Sequence, residues 1–144
     1  DRKKIRLNVE ISETIPTINV DPKLMRIIFH NILSNAIKYT PEKGVVEFSM
    51  QLEDSHILIT VKDTGMGIPK DAQPKIFEKL FRADNARAEI TEGTGLGLYI
   101  VKSLVDYSNG KIWFESEENK GTTFYITIPL AGMVAKSGTK ELKA

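Results

Sequence analysis

Several residue types that carry specific chemistry are absent from this chain or scarce in it. There is no cysteine among the 144 residues, which excludes disulfides, thiolate nucleophiles and thiolate metal sites. The two histidines, His30 and His56, are too few and too isolated for a zinc site. Cysteine-based and zinc-based chemistry is therefore not expected.

The chain also lacks an excess of charge and any long apolar run. Its formal net charge is +1, which gives no reason to expect contact with nucleic acid or an anionic membrane. No apolar run approaches the roughly 20 residues of a membrane span, and the charged N-terminus does not resemble a signal peptide. With 41% hydrophobic and 27% charged residues, the composition is typical of one soluble domain. Because the chain begins at Asp1 and not at methionine, we expect a fragment of a longer protein.

Hydrophobic periodicity predicts a mixed sheet with helices on one face, an α+β fold. Residues 5–11 alternate strictly, which predicts a half-buried strand. Asp21 and Pro22 predict the start of a long helix, which Pro41 and Gly44 terminate. The other predicted elements are an extended piece at 17–20, strands at 45–52 and 56–62, an amphipathic helix at 72–80, a mobile loop at 84–95, a helix after Gly97 that Asn109-Gly110 terminates, and a hairpin of 111–116 and 122–129.

The C-terminal hairpin and the residues after it differ in composition. Trp113, Phe124 and Tyr125 are predicted to be the large packing residues of the hairpin. After Pro129 the chain becomes small and polar. We therefore expect one domain over residues 1–130 and a disordered tail over 131–144.

The long helix carries a polar stripe. On a helix that turns about 100° per residue, Asn31, Asn35 and Lys38 fall within an arc of about 60°. The apolar residues of the opposite side are Met25, Phe29, Ile32, Leu33 and Ala36. Carboxamide oxygens suit Mg²⁺, and a lysine ammonium suits phosphate oxygens. Mid-helix asparagines are more often solvated or bonded locally, so both interpretations stay open.

Two glycine-rich segments follow. In Asp63-x-Gly65-x-Gly67, a carboxylate at the end of a buried strand can accept from a ligand amine while the backbone approaches a flat ring. A strand-ending Asx turn is the more usual outcome for such a sequence.

The second segment, Gly93-x-Gly95-x-Gly97, precedes a helix, where free amides and the helix dipole favour an anion. Its spacing is neither the dinucleotide fingerprint nor a Walker loop, and a flexible hinge is the equal alternative. Arg82 lies where a guanidinium could reach a terminal phosphate, although a surface arginine is the usual outcome.

In their order and spacing these segments resemble the catalytic ATP-binding domain of sensor histidine kinases, in the GHKL ATPase superfamily with gyrase, Hsp90 and MutL. The family has four sequence motifs, called the N, G1, F and G2 boxes. In this chain the segments that resemble them, in that order, are Asn31 to Tyr39, Asp63 to Gly67, Lys75 to Phe81 and Gly93 to Gly97. The resemblance covers residues 1–130 and implies a two-layer α/β sandwich, the Bergerat fold. The Asn-Ala-x-Lys-Tyr-Thr-Pro and Gly-Thr-Gly-Leu-Gly-Leu sequences favour the kinase branch.

The resemblance implies a role for each matching residue. Asp63 would accept from the adenine amine, and Asn31 would ligate Mg²⁺ with Asn35 close by. Arg82 would steady the γ-phosphate. The remaining expected contacts are Gly65, Gly67 and Ile68 around the base, Lys38 and Tyr39 at the phosphates and the outer face of the nucleotide, and Gly93, Thr94, Gly95, Leu96 and Gly97 beneath an ATP lid formed by residues 84–95.

The resemblance also implies a function. Such a domain binds Mg-ATP and gives its γ-phosphate to a histidine on a separate dimerisation domain, with a response regulator downstream. The expected setting is the cytoplasmic part of a membrane-anchored sensor. Neither His30 nor His56 has the context of an acceptor. Because the family places both the acceptor histidine and dimerisation on that separate domain, we expect this chain to be monomeric and unable to phosphorylate itself. The alternatives are an anti-sigma-type serine kinase with the same fold, or a nucleotide-sensing module that binds ATP without transferring phosphate.

Overall fold

The computed structural model describes residues 4–13, 21–78 and 97–129. The elements in chain order are β1 (Arg6–Ile11), α1 (Pro22–Lys38), β2 (Val45–Glu53), β3 (His56–Asp63), a 3₁₀ helix (Lys70–Lys75), α2 (Gly97–Tyr107), β4 (Lys111–Glu117) and β5 (Gly121–Pro129). In this described part of the chain, no helix is long and apolar enough to cross a membrane.

The five strands form one sheet in the order β1-β2-β3-β5-β4. β1 is parallel to β2, and every other neighbouring pair is antiparallel. The register aligns Phe48 with Val61, and Val61 with Phe124, so these side chains share one face. Together with buried residues of α1 and α2 they form the hydrophobic core. The predicted mixed, mostly antiparallel sheet with helices on one face is therefore confirmed.

Helix α1 begins where the sequence predicts. The Asp21 carboxylate accepts a hydrogen bond from the Lys23 amide at 2.9 Å, and Pro22 occupies the first turn, where a missing N–H costs nothing. The buried residues repeat every four positions at Leu24, Ile28, Ile32 and Ala36. This spacing buries one side of the helix and leaves the polar stripe beside it.

The predicted half-burial of the first strand is wrong. The side chains of Leu7, Val9 and Ile11 are 48%, 57% and 54% exposed. The register places Leu7 on the same face as the buried Val46, but β1 is the edge strand and α1 packs on β3 and α2. Among the described residues, the helical layer therefore does not extend over β1.

The predicted amphipathic helix at 72–80 is also wrong over its first part, because Lys70–Lys75 is a 3₁₀ helix. Pro74 has no N–H to bond the Lys70 carbonyl, as an α-helix would require, and its ring disfavours the α conformation at Gln73. Phe77 nevertheless packs on Phe114, with ring centroids 5.9 Å apart. Residues 79 and 80 lie outside the described part.

The hairpin has the predicted strands but not all of the predicted packing. Phe124 is buried, whereas Trp113 is 43% exposed and stacks on Tyr125 with ring centroids 5.3 Å apart. Trp113 and Tyr125 are paired in the register, on the face opposite the core. The predicted extended piece at 17–20, the loop at 84–95 and the tail at 131–144 lie outside the described residues.

Candidate functional site

Asp63 is a buried carboxylate at the end of β3. Ile57, Ile59 and Val61 face the core at alternate positions, and the same alternation turns Asp63 inward at the next step. Its Oδ1 accepts from the amide of Gly65 at 2.8 Å and from the amide of Thr122 at 3.3 Å. The bond to Gly65 is the expected Asx turn, but both bonds use Oδ1, so Oδ2 is left to accept from a ligand.

Burial raises the pKa of the Asp63 carboxyl above its ordinary value, because the charged form loses solvation. The amides of Gly65 and Thr122 stabilise the carboxylate and lower this pKa in part. A carboxyl group whose pKa is raised by burial is a candidate for a functional site.

The loop after Asp63 lies tightly against two other segments. The Met66 amide donates to the Tyr39 carbonyl at the end of α1 at 3.2 Å, and a side chain at Gly65 would collide with the same carbonyl. Gly67 has a φ of +71° and approaches the Glu117 carbonyl so closely that no Cβ would fit. The glycines thus permit a close approach of the loop to α1 and to the β4–β5 hairpin, whereas the predicted approach to a flat ring stays a prediction.

The β4–β5 hairpin supplies a part of this site that was not among the residues predicted from the sequence. Ser116 Oγ accepts from the Ile68 amide at 2.8 Å and lies 2.8 Å from Thr122 Oγ1. The Asn119 amide donates to the Met66 carbonyl at 2.6 Å. One sequence pattern could have revealed this contact: Ser116 and Thr122 occupy core-facing positions of strands whose other core-facing residues are apolar.

Asn31 lies at the other end of the site, beside the start of α2. Its Nδ2 donates to the Ile27 carbonyl at 2.8 Å, the local bond that is usual for a mid-helix asparagine. This bond fixes the amide so that Oδ1 faces Gly97, where an added Cβ would lie 3.3 Å from that oxygen. The first turn of α2 contains no acidic residue to offset the positive end of its dipole, and Asn31 Oδ1 lies beside its first residue, Gly97.

The polar stripe of α1 connects these two ends. Asn31, Asn35, Lys38 and Tyr39 are all half-buried. Tyr39 lies eight positions after Asn31 in the chain, which corresponds to roughly 12 Å along a helix axis. One surface of α1 therefore leads from the Asp63 loop to the N-terminus of α2, a span on the scale of an extended nucleoside triphosphate.

The structure places some of the predicted site residues and not others. It brings Tyr39, Asp63, Gly65, Gly67 and Ile68 together at one end. It brings Asn31 and Gly97 together at the other. The predicted residues outside the described part of the chain are Arg82, Gly93, Thr94, Gly95 and Leu96.

Comparison with known proteins identifies the family. Residues 20–132 match the model of the family described as histidine kinase-, DNA gyrase B-, and HSP90-like ATPase. The chain is 41% identical over 128 residues to the sensor histidine kinase WalK of Bacillus subtilis (strain 168), an alignment that covers 85% of this chain and 21% of WalK. The chain thus spans about a fifth of the length of such curated relatives.

Solved structures give the same result. A mycobacterial sensor histidine kinase, MprB, superposes with a TM-score of 0.77 at 30% identity, over 89% of this chain and 85% of MprB. Full-length ShkA in complex with AMPPNP superposes with a TM-score of 0.77 at 33% identity, over 90% of this chain and 26% of ShkA. The predicted relationship to histidine kinase catalytic domains is confirmed, and the chain belongs to the family of histidine kinase-, DNA gyrase B- and HSP90-like ATPases.

Proposed function

We propose that this chain binds Mg-ATP along the polar stripe of α1 and presents the γ-phosphate to a histidine on a separate dimerisation domain. The observation that carries the proposal is the Asp63 carboxylate, whose Oδ1 is held by two backbone amides and whose Oδ2 is left for a ligand. The stripe leads from this acceptor to a helix N-terminus, so a purine amine and a phosphate chain fit opposite ends of one site.

Asp63 selects the base in this proposal. Its Oδ2 accepts from the exocyclic amine of adenine, at a position where guanine carries a carbonyl oxygen that a carboxylate repels. Gly65 and Gly67 keep the backbone close to the plane of the base, and Ile68 forms one wall of the pocket. Because the acceptor is buried, its hydrogen bond to the base forms with little competition from water.

Asn31 and the start of α2 hold the phosphates. Asn31 Oδ1 is a hard oxygen donor, which fits Mg²⁺, an ion that typically takes one or two protein ligands and completes its shell with phosphate oxygens and water. The described residues contain no cluster of three acidic or histidine side chains that could hold a metal ion alone, which agrees with a metal held largely by the nucleotide. Bound Mg²⁺ would neutralise charge on the phosphates.

The remaining roles follow from the family resemblance. Asn35 supports the metal ligand, and Lys38 and Tyr39 contact the phosphates and the outer face of the nucleotide. Arg82 stabilises the γ-phosphate during transfer. The backbone of the segment from Gly93 to Gly97 binds the phosphates, and residues 84–95 close over them and exclude water.

The acceptor histidine belongs to another domain of the same kinase, and a response regulator receives the phosphate afterwards. We place this chain in the cytoplasmic part of a membrane-anchored sensor. By itself it is a monomer that contacts neither nucleic acid nor membrane.

Calorimetric titration with a non-hydrolysable ATP analogue tests the binding step. We expect micromolar, Mg²⁺-sensitive binding to the chain and loss of binding in Asp63→Ala. Radiolabelled ATP and a histidine-bearing dimerisation domain added in trans then test transfer, with phosphohistidine as the expected product. Binding without transfer would favour the nucleotide-sensing alternative, and absence of binding would reject the proposal.

A further inference from the structure

Gln73 makes two hydrogen bonds that no part of the proposed function uses. From the 3₁₀ helix, its Nε2 donates to the Ile68 carbonyl at 3.1 Å and to the Ser116 carbonyl at 3.2 Å. Both partners are carbonyl oxygens and can only accept, so the amide must present its NH₂ group to them. The two protons of one side-chain amide thus join the 3₁₀ helix, the loop after β3, and β4.

Both polar groups of the Ile68 backbone, its amide and its carbonyl, are consequently hydrogen-bonded to side chains. Its amide donates to Ser116 Oγ at 2.8 Å, and its carbonyl accepts from Gln73. Ser116 lies 48 positions further along the chain, so the contact closes a long loop. Pro69, the next residue, has no N–H to contribute. Side chains, and not a regular backbone ladder, therefore fix the position of Ile68.

Further hydrogen bonds connect Ser116 to Asp63, the carboxylate that accepts a hydrogen bond from the base in the proposed function. Ser116 Oγ lies 3.0 Å from the Gly121 carbonyl and 2.8 Å from Thr122 Oγ1, while the Thr122 amide donates to Asp63. If Ser116 donates its proton to Gly121, the Thr122 hydroxyl donates to Ser116. A continuous set of hydrogen bonds then runs from Gln73 to Asp63.

We propose that Gln73 is a positioning residue of the base pocket, which fixes Ile68 and the hairpin at the distance that a purine requires. The inference rests on the proposed function, because it takes the pocket between Asp63 and Ile68 as the site of the base. Gln73 touches neither the phosphates nor the metal ligand in this scheme. Its loss should weaken the binding of every adenine nucleotide by the same factor.

Gln73→Leu tests the proposal, since leucine keeps the approximate volume but cannot donate. The matched control is Gln51→Leu, at an exposed glutamine on β2 whose amide contacts Glu53. We expect the affinities for ATP and ADP, measured by calorimetry in Mg²⁺, to fall together by about 5- to 10-fold in Gln73→Leu, as for the loss of one or two hydrogen bonds. Gln51→Leu should bind both nucleotides as the unmodified chain does.

The outcomes separate the two proposals. If the unmodified chain binds neither nucleotide, the proposed function and this inference both fail. If it binds and Gln73→Leu binds equally well, only the inference fails. A loss confined to ATP would also overturn it, because the effect would then lie at the terminal phosphate.

A second measurement needs no variant, in case Gln73→Leu does not fold. In the ¹⁵N-labelled chain, the side-chain NH₂ signals of Gln73 should shift when ADP is added, while those of Gln51 should stay in place. Unshifted Gln73 signals at saturating ADP would overturn the proposal.

Discussion

Asp63 is subject to opposing requirements of stability and of binding. Its carboxylate is costly to bury, yet the proposed base contact needs an acceptor at Oδ2. Asparagine can still accept hydrogen bonds from the amides of Gly65 and Thr122 through its oxygen, but it would present an NH₂ group to the base. We therefore expect Asp63→Asn to lose on the order of 10- to 100-fold in ATP affinity by calorimetry. Unchanged affinity would remove Asp63 from the base site.

The variant Asp63→Asn should also change how the stability of the chain depends on pH. Because burial raises the pKa of Asp63, the folded state binds a proton more tightly than the unfolded state, and the stability that this gives at low pH is lost as pH rises through the raised pKa. Asp63→Asn does not titrate, so it should gain stability relative to the unmodified chain at neutral pH but not below pH ~4, the ordinary range of an aspartate. Urea unfolding at the two pH values measures the difference, and a gain that does not depend on pH would contradict the assignment.

Asn31 gives a test of the metal ligand. Replacing its amide by alanine removes Oδ1, so Asn31→Ala should bind ATP with little or no dependence on Mg²⁺. His30→Ala is the matched control, because His30 is the adjacent residue and is exposed. Calorimetry with and without Mg²⁺ distinguishes them. If Asn31→Ala retained the full effect of Mg²⁺, another group would hold the ion.

At the scale of elements, the loop after β3 is a close junction of three segments. Gly67 has a positive φ and no room for a Cβ beside the Glu117 carbonyl. Gly67→Ala should therefore lower the free energy of unfolding by about 1–3 kcal/mol. It should also weaken nucleotide binding, because the hairpin must move. Urea denaturation is the measurement, and a change within about 0.5 kcal/mol would show that the hairpin adjusts freely.

The edge strand β1 should behave differently from the central strand β3. Replacing valine by threonine exchanges a methyl group for a hydroxyl at nearly constant shape. The exchange is costly only where water is excluded. Val61→Thr, at a buried position, should cost about 1–3 kcal/mol in urea unfolding, as burial of an unpaired hydroxyl does. Val9→Thr, at a position 57% exposed, should change stability by less than about 0.5 kcal/mol. Equal costs would mean that β1 is covered in solution.

At the scale of the whole molecule, local sequence patterns predicted most of the elements that the structure describes. Period-2 alternation found β1 and β3, and the Asp21-Pro22 pair found the start of α1, because caps and periodicity act over a few residues. The family resemblance, in turn, depended on ordered motifs spread over most of the chain. The fold class could be expected on that basis. The contact of the Tyr39 carbonyl with the Asp63 loop could not, because the resemblance placed Tyr39 at the phosphates and the outer face of the nucleotide.

What the sequence did not predict depends on contacts between distant segments. Periodicity shows that Leu7 and Val9 share a face, but not that this face lies beyond the reach of α1. The bonds of Ser116 to Ile68 and of Thr122 to Asp63 join positions 48 and 59 residues apart. No local pattern specifies such pairings, and only the register of the sheet creates them.

The uncovered position of β1 has a consequence for the motions of the folded chain. Among the described strands, β1 is bonded on one side only, to β2, and its apolar side chains are already about half exposed, so its detachment would uncover little new surface. The amide hydrogens of β1 should therefore exchange with solvent through a local opening far cheaper than global unfolding. Those of β3, bonded on both sides and buried, should exchange only when the whole sheet is lost.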